Sequence, residues 1–454
     1  MGRWMMPHPN KNLARGKQFM SKSNKMSVTQ LTILTMVNMM GSGIIMLPSK
    51  LAEIGTISVL SWLVTAAGSM ALAYAFAKCG MFSRKSGGMA GYAEYAFGNS
   101  GGFMSNYTYS ISLLIANVAI AITAVGYGTA FFGVELSPLG ICAATIGVLW
   151  LTTFANFGGP KITGQIGGFT VWGVIIPVVG VSILGWFWFD GTTYINAWNP
   201  HGKSMFDAVS ASIAITLWAF LGLESACANS DAVENPEKNV PIAVLGGTIG
   251  AAVVYILSTN VIAGMIPNAD LASSSAPFGL AFAHMFGPIV GKIVTGLAVI
   301  ACVGSLLGWQ FTVAQVFKSS ADAGYFPKAF SSVSKAGAPL KGMMILLAVQ
   351  TAMALMTISP SLNEQFTVLV NLAVITNIIP YILSMGALMI MQKITGVEAS
   401  KAKVNNFLAI VGAIFSFYAL YSAGSEAMLY GSLVTFTGWT VYGLVAHKYE
   451  KMSH

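Results

Sequence analysis

The chain has 454 residues, of which 55% are hydrophobic and 8% charged, and its formal net charge is +8. A soluble globular chain carries about 25% charged residues, so most side chains here face something other than water. The basic residues lie in short segments between apolar runs and build no basic face, which argues against a nucleic-acid partner. Cys79, Cys142, Cys227 and Cys302 are scattered and indicate neither a disulfide framework nor a zinc site.

A membrane-spanning helix needs about 20 mostly apolar residues. Residues 1–28 are polar and basic and read as a cytoplasmic N-terminal tail, with Met20 and Met26 as alternative starts. Twelve apolar segments follow, over 29–50, 57–79, 103–131, 139–158, 167–189, 205–227, 240–266, 286–316, 342–359, 366–392, 405–423 and 427–446. Their continuity excludes a β-barrel, whose strands alternate over about 10 residues. The glycine-rich stretch 87–98 between the second and third segments predicts a short interfacial helix. A twelve-span reading with both ends in the cytoplasm puts 20 of the 23 Lys and Arg residues inside, as the positive-inside rule requires. Lys50, Lys203 and Lys292 then fall near the outer face. Residues 449–454 form a cytoplasmic tail.

Two spans carry features that a plain membrane helix does not need. In the first, MVNMMGSGIIMLP, Gly41, Ser42 and Gly43 sit mid-span. Glycine weakens a helix by about 1 kcal/mol relative to alanine, so the segment favours a break whose freed N–H groups can hold a carboxylate. A small-residue packing face is the competing explanation. In the sixth span, IAITLWAFLGLESACAN, Gly222 precedes Glu224 by two residues. A carboxylate at membrane depth costs about 2.5–3.5 kcal/mol on insertion scales, and no Lys or Arg lies mid-span to pair with it. Either a cationic substrate or a proton supplies the missing charge, or Glu224 is a protonated group bonded to nearby backbone. Breaks in the first and sixth spans occupy matching places in two five-span halves, which points to a midplane site in an inverted-repeat carrier.

Aromatic faces attract ammonium groups by about 0.5–2 kcal/mol. Trp218 and Trp309 lie away from span ends and are the better candidates, whereas Tyr107, Tyr109 and Tyr442 are also explained as interface anchors. The sequence has no phosphate loop or sizeable soluble domain, which excludes ATP-driven transport by this chain alone. It offers no nucleophile–base set or metal cluster, so neither an enzyme nor a cofactor is expected.

The segments GSGIIMLP and WAFLGLESACAN, with FAKCGMFSRKSGGM, IPVVGVSILGWFWF, VENPEKNVPIAVLGG and LLGWQFTVAQVFKSS, resemble the amino acid–polyamine–organocation superfamily and, within it, the basic amino acid/polyamine antiporters. The resemblance runs from about Ser21 to Lys448. It implies an all-α membrane protein of twelve helices with helices 1 and 6 broken. Residues 29–204 and 205–392 would be the two inverted five-helix repeats, and 393–448 two peripheral helices. It also implies exchange of intracellular putrescine for extracellular ornithine by alternating access, with protons as a further coupling partner. The setting would be the bacterial inner membrane, and the assembly in question a homodimer. Gly41, Ser42, Gly43, Trp218, Glu224, Trp309 and Tyr442 are the implied substrate-binding residues, and Cys79 and Glu94 the implied transport-associated ones. A cadaverine/lysine or agmatine/arginine exchanger is the nearest alternative, and a cation channel or a sensor the more distant one.

Overall fold

The computed structural model describes residues 27–83, 85, 88–224, 235–356, 358 and 362–450. The expected N-terminal tail up to residue 26, the sixth span beyond Glu224 with Cys227, and the last four residues lie outside them. Every regular element among the described residues is helical.

Helix α1, Val28–Met40, opens on a capping box. Ser27 Oγ accepts from the Gln30 N–H while Gln30 Oε1 accepts from the Ser27 N–H, so two helix-end donors are satisfied together. It stops at Gly41. A single 3-10 turn, Ser42–Ile44, and a short helix α2, Leu47–Ala52, complete the first expected span, so the break falls at the GSG triplet. Lys50 on α2 is buried and ion-paired to Glu53 at 2.7 Å.

Helix α3 is Ser58–Phe82. Helix α4, Met89–Phe132, turns at Gly98, whose φ of 61° suits glycine. The segment before that turn, from Met89, is helical, within the stretch read as a short helix at 87–98. Helix α5 is Pro138–Ala155, and the fifth expected span divides into α6, Pro160–Thr170, and α7, Trp172–Leu184. Helix α8, Gly191–Asn196, is capped by Asp190, whose carboxylate accepts from the Thr192 and Thr193 N–H groups. Helix α9, Met205–Trp218, ends four residues before Gly222, and α10 is Pro236–Met265. Two short helices, α11 (Asn268–Ser273) and α12 (Pro277–Phe286), occupy a connection that hydropathy left blank. The remaining elements are α13 (Pro288–Asp322), α14 (Leu340–Met356), α15 (Leu362–Ile394), α16 (Ala399–Ser422) and α17 (Ser425–Glu450).

By length and composition, eight helical runs among the described residues are able to cross a membrane. The first and sixth expected spans are cut short at their breaks, α14 has 17 residues, and α17, over the twelfth expected span, is not among the eight. Helix α4 is the central post, running along α15 and α13, while α1 lies against α10 and α3 against α9, α10 and α16. Lipid tails are as apolar as the helices, so polar contacts set the register between them. Asn117 donates to Gln310 at 3.3 Å and Gln310 to Gln350 at 2.7 Å, linking α4, α13 and α14. Backbone groups freed in a membrane need an internal partner. The Tyr127 hydroxyl of α4 donates to the Ile45 carbonyl at the first break, and the Tyr255 hydroxyl of α10 to the Ala219 carbonyl at the second, each at 3.0 Å.

Candidate functional site

The two breaks meet. A side chain added at Gly222, whose φ is +105°, would fall 3.1 Å from the Asn38 carbonyl oxygen of α1 and 3.7 Å from the Trp309 ring of α13. One added at Gly43 would fall 3.7 Å from Trp218 Nε1. Glycine therefore does two things here: it permits the turn, and it lets the two interrupted spans approach.

Between them lies a cavity of about 50 Å³ lined by Gly41, Gly43, Trp218, Glu224 and Trp309, together with Asn38, Tyr109 and Asn377. Five of the nine residues singled out in the sequence thus surround one space. A larger cavity of about 280 Å³ shares Asn38, Gly41 and Trp309 and continues between α1, α6 and α13 past Thr170, Ser305 and Thr312.

Glu224 is 8% exposed. Its Oε2 accepts from the Tyr381 hydroxyl at 2.6 Å and from the Gly222 N–H at 3.1 Å, and its Oε1 accepts from the Tyr109 hydroxyl at 3.2 Å. The backbone contact that the competing explanation called for is therefore present, with two tyrosines added. The ion pairs among the described residues involve Lys50, Lys85, Lys318 and Lys401, and none reaches Glu224. Neutral donors hold the carboxyl group in place.

Cys79 lies outside this cavity. It sits on α3 with its thiol 3.6 Å from the Ser384 carbonyl of α15, and Phe76, one turn earlier, packs edge-on against Tyr381 with centroids 4.9 Å apart. The Cys79 turn thus backs the helix that delivers Tyr381. Glu94 and Tyr442 belong to a different cluster. Glu94 pairs with Lys85 at 2.7 Å and accepts from Tyr325 at 2.5 Å, and Tyr325 and Tyr442 both pack on Phe103. The Ser42 side chain is outside the described residues.

Tyr381 and Asn377, missing from the sequence reading, stand one helical turn apart on α15. Both are polar side chains in the middle of an apolar segment, and that was the available signal.

A tyrosine-held carboxylate and two tryptophans line one cavity where two interrupted helices of a multi-pass membrane protein meet. The model of the amino acid permease family matches residues 26–444, and the chain belongs to that family. It is similar to the putrescine transporter PotE of Escherichia coli (strain K12), with 73% identity over 430 residues, 95% of this chain and 98% of that one. The putrescine transporter PotE of Haemophilus influenzae is 67% identical over 95% of this chain and 99% of its own. The cadaverine/lysine antiporter of Escherichia coli (strain K12) is 34% identical over 96% of this chain and 98% of its own.

Proposed function

We propose that this chain is a secondary transporter that exchanges intracellular putrescine for extracellular ornithine by alternating access across the bacterial inner membrane, and that it also takes up putrescine with protons. The observation that carries this reading is Glu224, a buried carboxylate held by tyrosines without a basic partner among the described residues, on a cavity walled by Trp218 and Trp309. Glu224 and the tryptophans receive an ammonium group, and the Gly41–Gly43 backbone receives the carboxylate that ornithine has and putrescine lacks. The 73% identity to proteins named putrescine transporter, against 34% to one named cadaverine/lysine antiporter, favours the four-carbon diamine.

The reading includes twelve spans, two inverted five-helix repeats and both termini in the cytoplasm. The breaks at Gly41 and Gly222 and the distribution of Lys and Arg support that arrangement. A ligand drives the cycle only through its different affinity for the two facings. Putrescine carries two positive charges and ornithine a net one, so one-for-one exchange moves charge and responds to membrane potential.

Proteoliposomes loaded with putrescine and challenged with labelled ornithine, lysine and arginine test the proposal. Ornithine uptake that depends on internal putrescine is the expected result. Uptake indifferent to the internal solute would indicate a channel, and a preference for lysine or arginine would replace the substrate pair.

A further inference from the structure

Two buried polar atoms of residues lining the central cavity have no hydrogen-bond partner among the described residues: Asn377 Oδ1 and Trp218 Nε1. Asn377 is 2% exposed and Trp218 6%. Leaving such a group unpaired costs about 1–3 kcal/mol, and buried polar groups in native proteins are nearly all paired. The pair is also chemically complementary, one an acceptor and the other a donor.

Asn377 stands on α15 one turn before Tyr381, whose hydroxyl donates to Glu224 at 2.6 Å, and Asn377 and Glu224 line the same cavity. An unpaired amide oxygen accepts, and an ammonium group donates.

We propose that Asn377 is a specificity-determining residue whose side-chain oxygen accepts an N–H from the substrate ammonium group that Glu224 does not hold. The inference rests on the diamine-exchange reading above and adds the far end of the ligand to it. A diamine has donors at both ends and no acceptor, so it satisfies Asn377 and leaves Trp218 Nε1 unpaired. An amino acid brings a carboxylate that Trp218 Nε1, beside Gly43, can reach.

The test compares putrescine with n-butylamine, which keeps the four-carbon chain and one ammonium group, as competitors of labelled putrescine in proteoliposomes. Asn377→Leu is expected to weaken putrescine about ten- to a hundredfold and butylamine less than about threefold. Asn377→Ala is measured beside it, so that a variant that does not accumulate leaves the other to decide. An equal loss for both amines would mean that Asn377 acts only by supporting Tyr381, and would overturn the proposal. Unchanged putrescine affinity would overturn it too, with water as the occupant of the amide oxygen. If the wild-type protein bound no putrescine, the transport reading itself would fail, and the variants would not be needed to show it.

Discussion

Glu224 and Glu94 make an instructive pair. Each is a glutamate held by a tyrosine hydroxyl, Tyr381 at 2.6 Å in one case and Tyr325 at 2.5 Å in the other. Glu94 also has Lys85 at 2.7 Å and a side chain 20% exposed, so its charge is balanced within the protein and screened by solvent. Glu224 is deeper and has only neutral donors among the described residues. The difference teaches what a buried charge is for. Where the fold supplies the counter-ion, the carboxylate ties segments together. Where the described residues supply hydrogen bonds and no ion pair, the carboxyl group is held in position without a counter-ion of its own.

The contrast breaks most easily at Glu224. Glu224→Gln keeps the shape and removes the charge, and it should lower putrescine exchange about a hundredfold, since bonds to a charged group contribute about 1.5–3 kcal/mol each. Initial rates in proteoliposomes at matched protein content measure this, and near-normal exchange would remove Glu224 from the site. Next in size is Tyr381→Phe, which deletes the shorter of the two tyrosine contacts. A rise of about tenfold in the half-saturation concentration is expected, against less than about threefold for Tyr325→Phe, because Glu94 retains Lys85. Similar shifts for the two would erase the distinction drawn between the carboxylates.

Trp309→Leu should weaken putrescine about fivefold, in line with a cation–π contact, with the protein level in the membrane unchanged. If the half-saturation concentration does not move, Trp309 is a packing residue. Lys85→Met is the smallest effect. An exposed ion pair contributes about 0.2–1 kcal/mol, so unfolding temperature in detergent should fall slightly and putrescine affinity should stay within about twofold. A large loss of affinity would place Lys85, and Glu94 with it, in the binding machinery.

The membrane helices were legible because a long apolar run has few other destinations, and the breaks because glycine is costly inside a helix. Glu224 stood out for the same kind of reason, as a charge without a partner. Its real partners were hidden by distance: Tyr109 is 115 residues away and Tyr381 is 157. Periodicity speaks of neighbours along the chain, and these contacts are made by folding. Helices α11 and α12 were missed because 6 and 10 residues are too short to register as spans. The grouping of Tyr442 with Glu94 instead of with Glu224 depends on where Phe103 sits, which no local pattern announces.

The tyrosines at the breaks have a consequence for insulation. A carrier that opens to each side in turn must not let small ions seep along exposed backbone in between. Ile45 and Ala219 carry carbonyls at the two breaks, and Tyr127 and Tyr255 each stopper one with a phenol anchored in another helix. An interruption stoppered in this way offers no bare acceptor there for an ion to follow.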